Sequence, residues 1–274
     1  MIRKEGGSAS GSLKSISLKL DRAAGHLREI KAIDASFADV EINMPFVRDE
    51  ERGVGYFEVR LPEPPATIGP IIGDFLHNLR PCLDYLVWQV VLSNPPHAPG
   101  KWNMFPVCQS QSAFDEQVKK RRLDGVPPEA VAVVRSLQPF DSPEHPLALL
   151  VELYNADKHQ DLHLAISIAS EMDIVHLRNG EVVMRTTLGG EDVRNGAVYG
   201  GVGISLDTLP SGLKMEVFGR AEAFVAFKDL ASQSDEPIPV VQTLEEMLSF
   251  LVNSVVPRLR PFIREASAPH ENSA

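Results

Sequence analysis

The stretch that decides the fold is residues 68–92, IGPIIGDFLHNLRPCLDYLVWQVVL. Its apolar residues recur every three or four positions, a spacing typical of a helix that packs one face on a core. Pro70 is placed to open this helix. Pro81 lies in its interior, where it removes a backbone hydrogen bond and leaves the carbonyl of His77 without its helical donor. The helix also carries a group of polar side chains: Asp74, His77, Asn78, Arg80 and Asp84.

A second apolar segment, LALLVELYNADKHQDLH at residues 147–163, carries a second polar group. Buried polar groups are costly unless they find partners, so we expect the two helices to meet at these groups. A helical wheel places Arg80 nearest to the apolar stripe of its helix, so a Glu152–Arg80 ion pair is the first contact that we expect. The second group consists of Glu152, Asn155, Asp157, Lys158 and His159.

Arg80 and Asp84 are four residues apart, so they can also pair along their own helix. In that case the polar residues of the first helix form an ordinary solvent-facing surface. The sequence therefore leaves open whether the two polar groups are a functional site or a structural network.

Further helices are predicted on both sides of these segments. Ser142 followed by Pro143 is a favourable N-cap and first-turn pair, and it predicts the start of the second polar helix. The last helix is expected to end near Pro257. Helical periodicity covers residues 12–35, 111–122, 127–137 and 240–256.

Strands are predicted in two regions. Alternating apolar residues predict a β-hairpin at residues 40–61, and strand patterns dominate from residue 164 onward, with a turn signal at Asn179-Gly180. This order of elements favours an α+β fold over alternating βαβ units. We predict a helical core module with an N-terminal β-hairpin, a C-terminal antiparallel β-meander and a final helix.

The chain divides into two packed modules between short tails. Residues 12–163 form the mainly helical module, and residues 164–265 form the β-meander with the last helix. The polar residues 1–11 and 266–274 are expected to be disordered.

Composition narrows the functional classes. The 274 residues carry a formal net charge of −10, which opposes generic binding to nucleic acid without excluding it. The two cysteines, Cys82 and Cys108, have no metal-ligand spacing. No apolar run reaches the ~18 residues of a membrane helix, and the N-terminus lacks the apolar segment of a signal peptide. We therefore predict the cytoplasm of a bacterium, with no membrane association and with a protein partner or a second copy as the candidate ligand.

We predict no metal and no cofactor. Asp74-x-x-His77 matches half of the carboxylate–histidine pairs that helical bundles use for two-metal sites. The second helix, however, offers Glu152-x-x-Asn155, and asparagine is a poor ligand for transition metals. The chain also contains no Gly-x-Ser-x-Gly nucleophile motif.

Two motifs together resemble an uncharacterised bacterial family. Its members carry a GDxLHNLRxxLDxL helix, an FPV or FPI loop and an N-x-DKH motif. The matching stretches here are GDFLHNLRPCLDYL at residues 73–86, FPV at residues 105–107 and NADKH at residues 155–159. The resemblance covers about residues 70–165 and implies a shared helical core without a known activity.

The arginine of the first motif more distantly resembles the Arg-x₄₋₆-His signature of HEPN helical domains. Some of those domains are metal-independent ribonucleases, and others bind partners or nucleotides. In this chain Tyr85 stands at the expected histidine position, and tyrosine does not shuttle protons at neutral pH as histidine does. Two hypotheses follow: a non-catalytic binding or interaction protein with a polar cluster between two helices, or a HEPN-like metal-independent ribonuclease or a degenerate relative of one.

Overall fold

The computed structural model describes residues 10–159, 162–168, 172–188, 198–208, 215–228 and 237–264. The predicted C-terminal tail lies outside these ranges, as does most of the predicted N-terminal tail. Ser10 and Gly11 already belong to the first helix, which begins two residues before the expected position.

The helices follow the predicted order closely. The long helix is found at the predicted bounds, because turn-forming prolines precede it and the SNPP sequence follows it. The last helix continues into a π-helical segment, Leu251–Val255, and a final short turn. The helices are α1 (Ser10–Asp34), α2 (Ile68–Leu92), α3 (Gln111–Lys119), α4 (Pro128–Ser136), α5 (Pro146–His159), α6 (Val240–Phe250) and α7 (Val256–Leu259).

The start of α5 corrects one prediction. The helix begins at Pro146 rather than at Pro143, and Nδ1 of His145 accepts a hydrogen bond of 3.1 Å from the backbone N–H of Leu147. His145 therefore serves as the N-cap and Pro146 as the first helical residue. The predicted combination of a cap and a proline is present, one turn later and with an imidazole in place of the Ser142 hydroxyl.

The strands form three antiparallel sheets. They are β1 (Val40–Met44), β2 (Phe46–Asp49), β3 (Val54–Glu58), β4 (Leu164–Ile168), β5 (Met172–Arg178), β6 (Glu181–Leu188), β7 (Val198–Ser205), β8 (Met215–Ala221), β9 (Ala223–Phe227) and β10 (Ile238–Pro239). Their orders are β1-β8-β5-β6, β10-β9-β4 and β2-β3-β7. The α+β class with an N-terminal hairpin and a final helix is thus confirmed.

The pairing of β1 differs from the prediction, whereas the turn at Asn179-Gly180 is confirmed. The N-terminal hairpin consists of β2 and β3, while β1, on the other side of Pro45, pairs with β8. The turn between β5 and β6 lies at Asn179-Gly180, where φ is +51° and +86°, as a two-residue hairpin with this sequence requires.

The main hydrophobic core surrounds α2. One face of α2 is buried against α1, α5 and α7, and helix α6 with strands β4 and β9 completes the same core. A second, smaller core lies among β1, β3, β5 and β8 and includes Ile42, Phe57 and Val217. No helix in the described ranges is long and apolar enough to cross a bilayer.

Candidate functional site

The two polar helices meet through His77 and Asp157. Nε2 of His77 on α2 lies 3.0 Å from Oδ2 of Asp157 in the last turn of α5. The imidazole is 44% exposed and the carboxylate 21% exposed, so the contact lies at the surface rather than in the core. The predicted meeting of the helices is found, with Asp157 as the charged partner of His77.

Gly73 explains how the carboxylate reaches α2. A Cβ atom at this position would lie 2.5 Å from Oδ1 of Asp157, closer than real Cβ atoms approach other heavy atoms. The absence of a side chain at Gly73 therefore makes room for Asp157 one turn before His77. Gly73, His77 and Asp157 all belong to the two motifs in the sequence, and the structure brings them together.

Tyr154 and Lys158 extend the contact along α5. The ring of Tyr154 packs edge-on against the His77 imidazole, with the ring centroids 4.8 Å apart. Nζ of Lys158 lies 4.9 Å from the centroid of the same tyrosine ring. An imidazole, a carboxylate, an aromatic ring and an ammonium group therefore share one patch of surface. The sequence indicated Lys158, but Tyr154 was missed because it reads as part of the apolar segment.

Arg80 makes the ion pair with Asp84 along its own helix that the sequence allowed, rather than the expected pair with Glu152. Its Nη1 donates to Oδ1 of Asp84 at 2.9 Å, and its Nη2 donates to the carbonyl of Phe105 at 3.3 Å. Oδ1 of Asp84 also accepts from the backbone N–H of Phe105 at 2.9 Å. The Glu152–Arg80 pair is therefore wrong as the first contact between the helices. Arg80, only 16% exposed, and Asp84 instead hold the FPV loop against α2.

The remaining members of the two polar groups lie at the surface around this contact. Asp74, Asn155, Lys158 and His159 are exposed, and Glu152 is half-buried. Nδ2 of Asn78 donates to the backbone carbonyl of Asp74 at 2.7 Å. The polar groups are thus divided between a surface patch around His77 and the structural contact of Arg80 with the loop.

The exposed face of α2 continues beyond the polar patch. Tyr85, Trp88 and Leu92 are 40%, 40% and 42% exposed, and their spacing places them on the same helical face as Asp74 and Pro81. Nζ of Lys19 on α1 lies 5.8 Å from the centroid of the Tyr85 ring. We call this whole stripe, Asp74, His77, Asn78, Pro81, Tyr85, Trp88 and Leu92, the α2 face. Trp88 and Leu92 were missed in the sequence, although their positions on the wheel place them opposite the buried stripe.

Among the described residues we find no cluster of metal-ligating side chains, and both cysteine thiols are buried. In the described ranges, no group of three or more His, Cys, Asp or Glu side chains is placed to hold a metal ion. Burial raises the pKa of Cys82 to about 11, with a smaller opposing effect of Lys19, and it also raises the pKa of Cys108. Both thiols are therefore protonated at neutral pH, which makes them poor nucleophiles.

Comparison with known proteins gave no relative: no family model, no curated protein and no solved structure matches this chain.

Proposed function

We propose that this chain is a non-catalytic binding protein whose α2 face receives a helical segment of a partner protein. The observation that carries the proposal is the continuity of the α2 face, which joins a polar patch to three large exposed apolar side chains on one helix. Tyrosine and tryptophan are the residues most enriched at the energetic centres of protein interfaces. The His77–Asp157 contact adds hydrogen-bonding groups beside them.

The spacing of the α2 face fits a helical partner. Asp74, Asn78, Pro81, Tyr85, Trp88 and Leu92 follow one another at intervals of four, three, four, three and four residues. This alternation is the repeat with which two α-helices pack along a common seam. A partner helix lying on it meets apolar side chains along the second half and a carboxylate at the start.

Charge specifies the partner further. Asp74 is the exposed carboxylate of the seam, since Asp157 is partnered by His77, and the ammonium groups of Lys158 and Lys19 lie near its tyrosine rings. The preference for a basic partner therefore rests on Asp74 and on the charge of the whole chain. With a formal net charge of −10, the whole chain attracts cationic partners at long range. The partner that complements this surface is an amphipathic helix with an apolar stripe and basic residues.

The alternative, a HEPN-like metal-independent ribonuclease, needs the Arg80 guanidinium and a proton-transferring side chain at the substrate. Arg80 is engaged by Asp84 and Phe105, and Tyr85 stands where a histidine is expected. The geometry therefore supports the binding function better. The purified protein should leave single-stranded RNA intact with a chelator present, and cleavage that Arg80→Ala abolishes would put the nuclease in place of the binding protein.

The binding proposal can be tested with synthetic helices. A leucine–lysine amphipathic peptide of ~18 residues is the probe, and a leucine–glutamate peptide of the same pattern is its charge-reversed control. In a Trp102→Phe background, Trp88 is the single tryptophan, so its emission should shift to the blue when the leucine–lysine peptide covers it. Fluorescence anisotropy of the labelled peptide gives the affinity.

Variants of the α2 face should separate specific binding from general attraction. We expect Trp88→Ala to weaken binding about 30-fold, since a central interface tryptophan contributes about 2 kcal/mol or more. Asp74→Asn should weaken binding less and reduce its dependence on salt. Glu63→Gln, with the same change of charge on an exposed loop residue, is the matched control and should change nothing. Equal affinity for both peptides, or no effect of Trp88→Ala, would contradict the proposal.

A further inference from the structure

A cleft separate from the α2 face lies between α1, the start of α5 and the end of α6. It is a broad depression open to solvent, with a volume of about 840 Å³. Apolar side chains form much of its lining: Leu27, Pro146, Leu248, Phe250 and Val252. Val252, one of these lining residues, is 42% exposed.

One wall of the cleft departs from regular helix. Residues 251–255 are π-helical, and Val252, Asn253 and Ser254 from this segment line the cleft. Single π-helical turns within α-helices are rare and occur frequently at functional sites. The π-helical segment therefore supports a ligand site in the cleft independently of its apolar lining.

Two contacts hold the lining residues Phe250 and Asn253 in place. The ring of His145 packs edge-on against Phe250, with centroids 4.8 Å apart, and Nδ1 of the same histidine caps α5. Nδ2 of Asn253 donates to Oγ of Ser249 at 3.0 Å across one turn of the wall. The lining is thus held by neighbouring groups before any ligand arrives, which reduces the entropy lost on binding.

The charge of the lining selects the ligand. Glu245 and Glu246 lie at the cleft, and none of the described lining residues is cationic. Lys31 of α1 pairs with Glu245, and Oε1 of Glu246 accepts a hydrogen bond of 2.9 Å from Nε2 of Gln242. Glu246 thus keeps a negative charge that no lysine or arginine of the lining balances. An apolar surface beside an unbalanced carboxylate attracts a molecule with an apolar body and a positive head, and it repels the corresponding anion.

We propose that this cleft is a binding site for an amphipathic cation, a small molecule with a hydrocarbon body and an ammonium head group. The hydrocarbon lies against Leu248, Phe250 and Val252, and the head group lies at Glu246. The site shares no residue with the α2 face, so it stands or falls independently of the proposed function.

Calorimetry with two matched probes tests the proposal. Decyltrimethylammonium is the cation and decanoate the anion of similar chain length, both used below their micelle-forming concentrations with the full chain. We expect saturable binding of one decyltrimethylammonium per chain, at least about tenfold tighter than decanoate because the two probes differ in the sign of the charge beside Glu246.

Two variants locate the site. Glu246→Gln should reduce the preference for the cation about fivefold or more, whereas Glu63→Gln should leave it unchanged. Ser249→Phe places a ring in the cleft from an exposed position of α6, and it should abolish binding of both probes while the circular dichroism spectrum stays that of the wild type. Binding that survives Ser249→Phe in the folded protein, equal binding of both probes, or equal effects of the two glutamine substitutions would overturn the proposal.

Discussion

Gly73 is the residue on which the geometry of the polar patch depends. Alanine at a helix interior position normally stabilises a protein by about 1 kcal/mol relative to glycine. At Gly73 the added Cβ would lie 2.5 Å from Oδ1 of Asp157, so that carboxylate must leave its place beside His77. The displaced atoms are the end of a flexible side chain, and a partly exposed ion pair contributes at most about 1 kcal/mol. We therefore expect Gly73→Ala to lose most or all of the usual alanine gain and to change the free energy of unfolding by between about −1 and 0 kcal/mol in a urea titration.

The same helix supplies the control for this prediction. A Cβ at Gly69 would meet nothing within 4 Å, so Gly69→Ala should be neutral or stabilising by up to ~1 kcal/mol. Combining Gly73→Ala with Asp157→Ala removes the clash, and in that background the alanine at position 73 should become stabilising. If Gly73→Ala is as well tolerated as Gly69→Ala, the close approach of Asp157 is wrong.

The sequence identified the polar residues of the two helices, but it did not identify the groups that they contact. The wheel correctly placed Arg80 next to the buried stripe, but it could not show that the carbonyl of Phe105 lies within reach of the guanidinium. A backbone carbonyl in a loop carries no sequence signal, so the nearest carboxylate on the other helix looked like the natural partner. The role of Gly73 was hidden for a similar reason, since close approach between helices depends on how they cross.

The start of α5 gives a prediction at the scale of a single element. Burial lowers the pKa values of His145 and of His176 in β5 below the ordinary value of 6.5. Well above pH 6.5 both rings are neutral in the folded and in the unfolded chain. No proton uptake then favours unfolding, so the stability is at its full value. As the pH falls below 6.5, the unfolded chain takes up protons first, so the free energy of unfolding should decrease.

His145→Asn isolates the contribution of the cap. An asparagine oxygen can still accept from the N–H of Leu147, and asparagine is among the preferred N-cap residues, but it does not titrate. Urea titrations at about pH 7.5 and about pH 5.5 should therefore show a smaller loss of stability for His145→Asn than for the wild type. An unchanged pH dependence in this variant would mean that His145 is not among the groups responsible.

Individual elements were predictable where local signals define their ends. Turn-forming prolines predicted the bounds of α2, and the Asn-Gly signal predicted the position of the turn between β5 and β6. The pairing of β1 with β8 was not predictable, because it joins residues about 180 positions apart and depends on tertiary packing. The cap of α5 was displaced by one turn because histidine is not among the usual N-cap residues, whereas Ser142-Pro143 has the favoured composition.

At the scale of the whole molecule, the N-terminal and C-terminal segments are interleaved. Strand β1 pairs with β8, and β3 pairs with β7, so two of the three sheets contain strands from both sides of residue 163. Oδ1 of Asp34 at the end of α1 accepts a hydrogen bond of 2.7 Å from the backbone N–H of Val225 in β9. Lys31 of α1 also pairs with Glu245 of α6.

This interleaving predicts that residues 1–163 do not fold alone. Without residues 164–274, β1 and β3 lose their long-range partners, and the core around α2 loses α6 and β9. We expect the isolated fragment to keep helical circular dichroism in the far ultraviolet while it loses the near-ultraviolet signal of packed aromatic side chains and unfolds without a cooperative transition. Mixing it with a fragment of residues 164–274 should restore the near-ultraviolet signal and the cooperative transition, because the two fragments share sheets and a core. A cooperative urea transition of residues 1–163 alone, with the near-ultraviolet signal retained, would show instead that the helical part is an autonomous module on which the C-terminal strands merely dock.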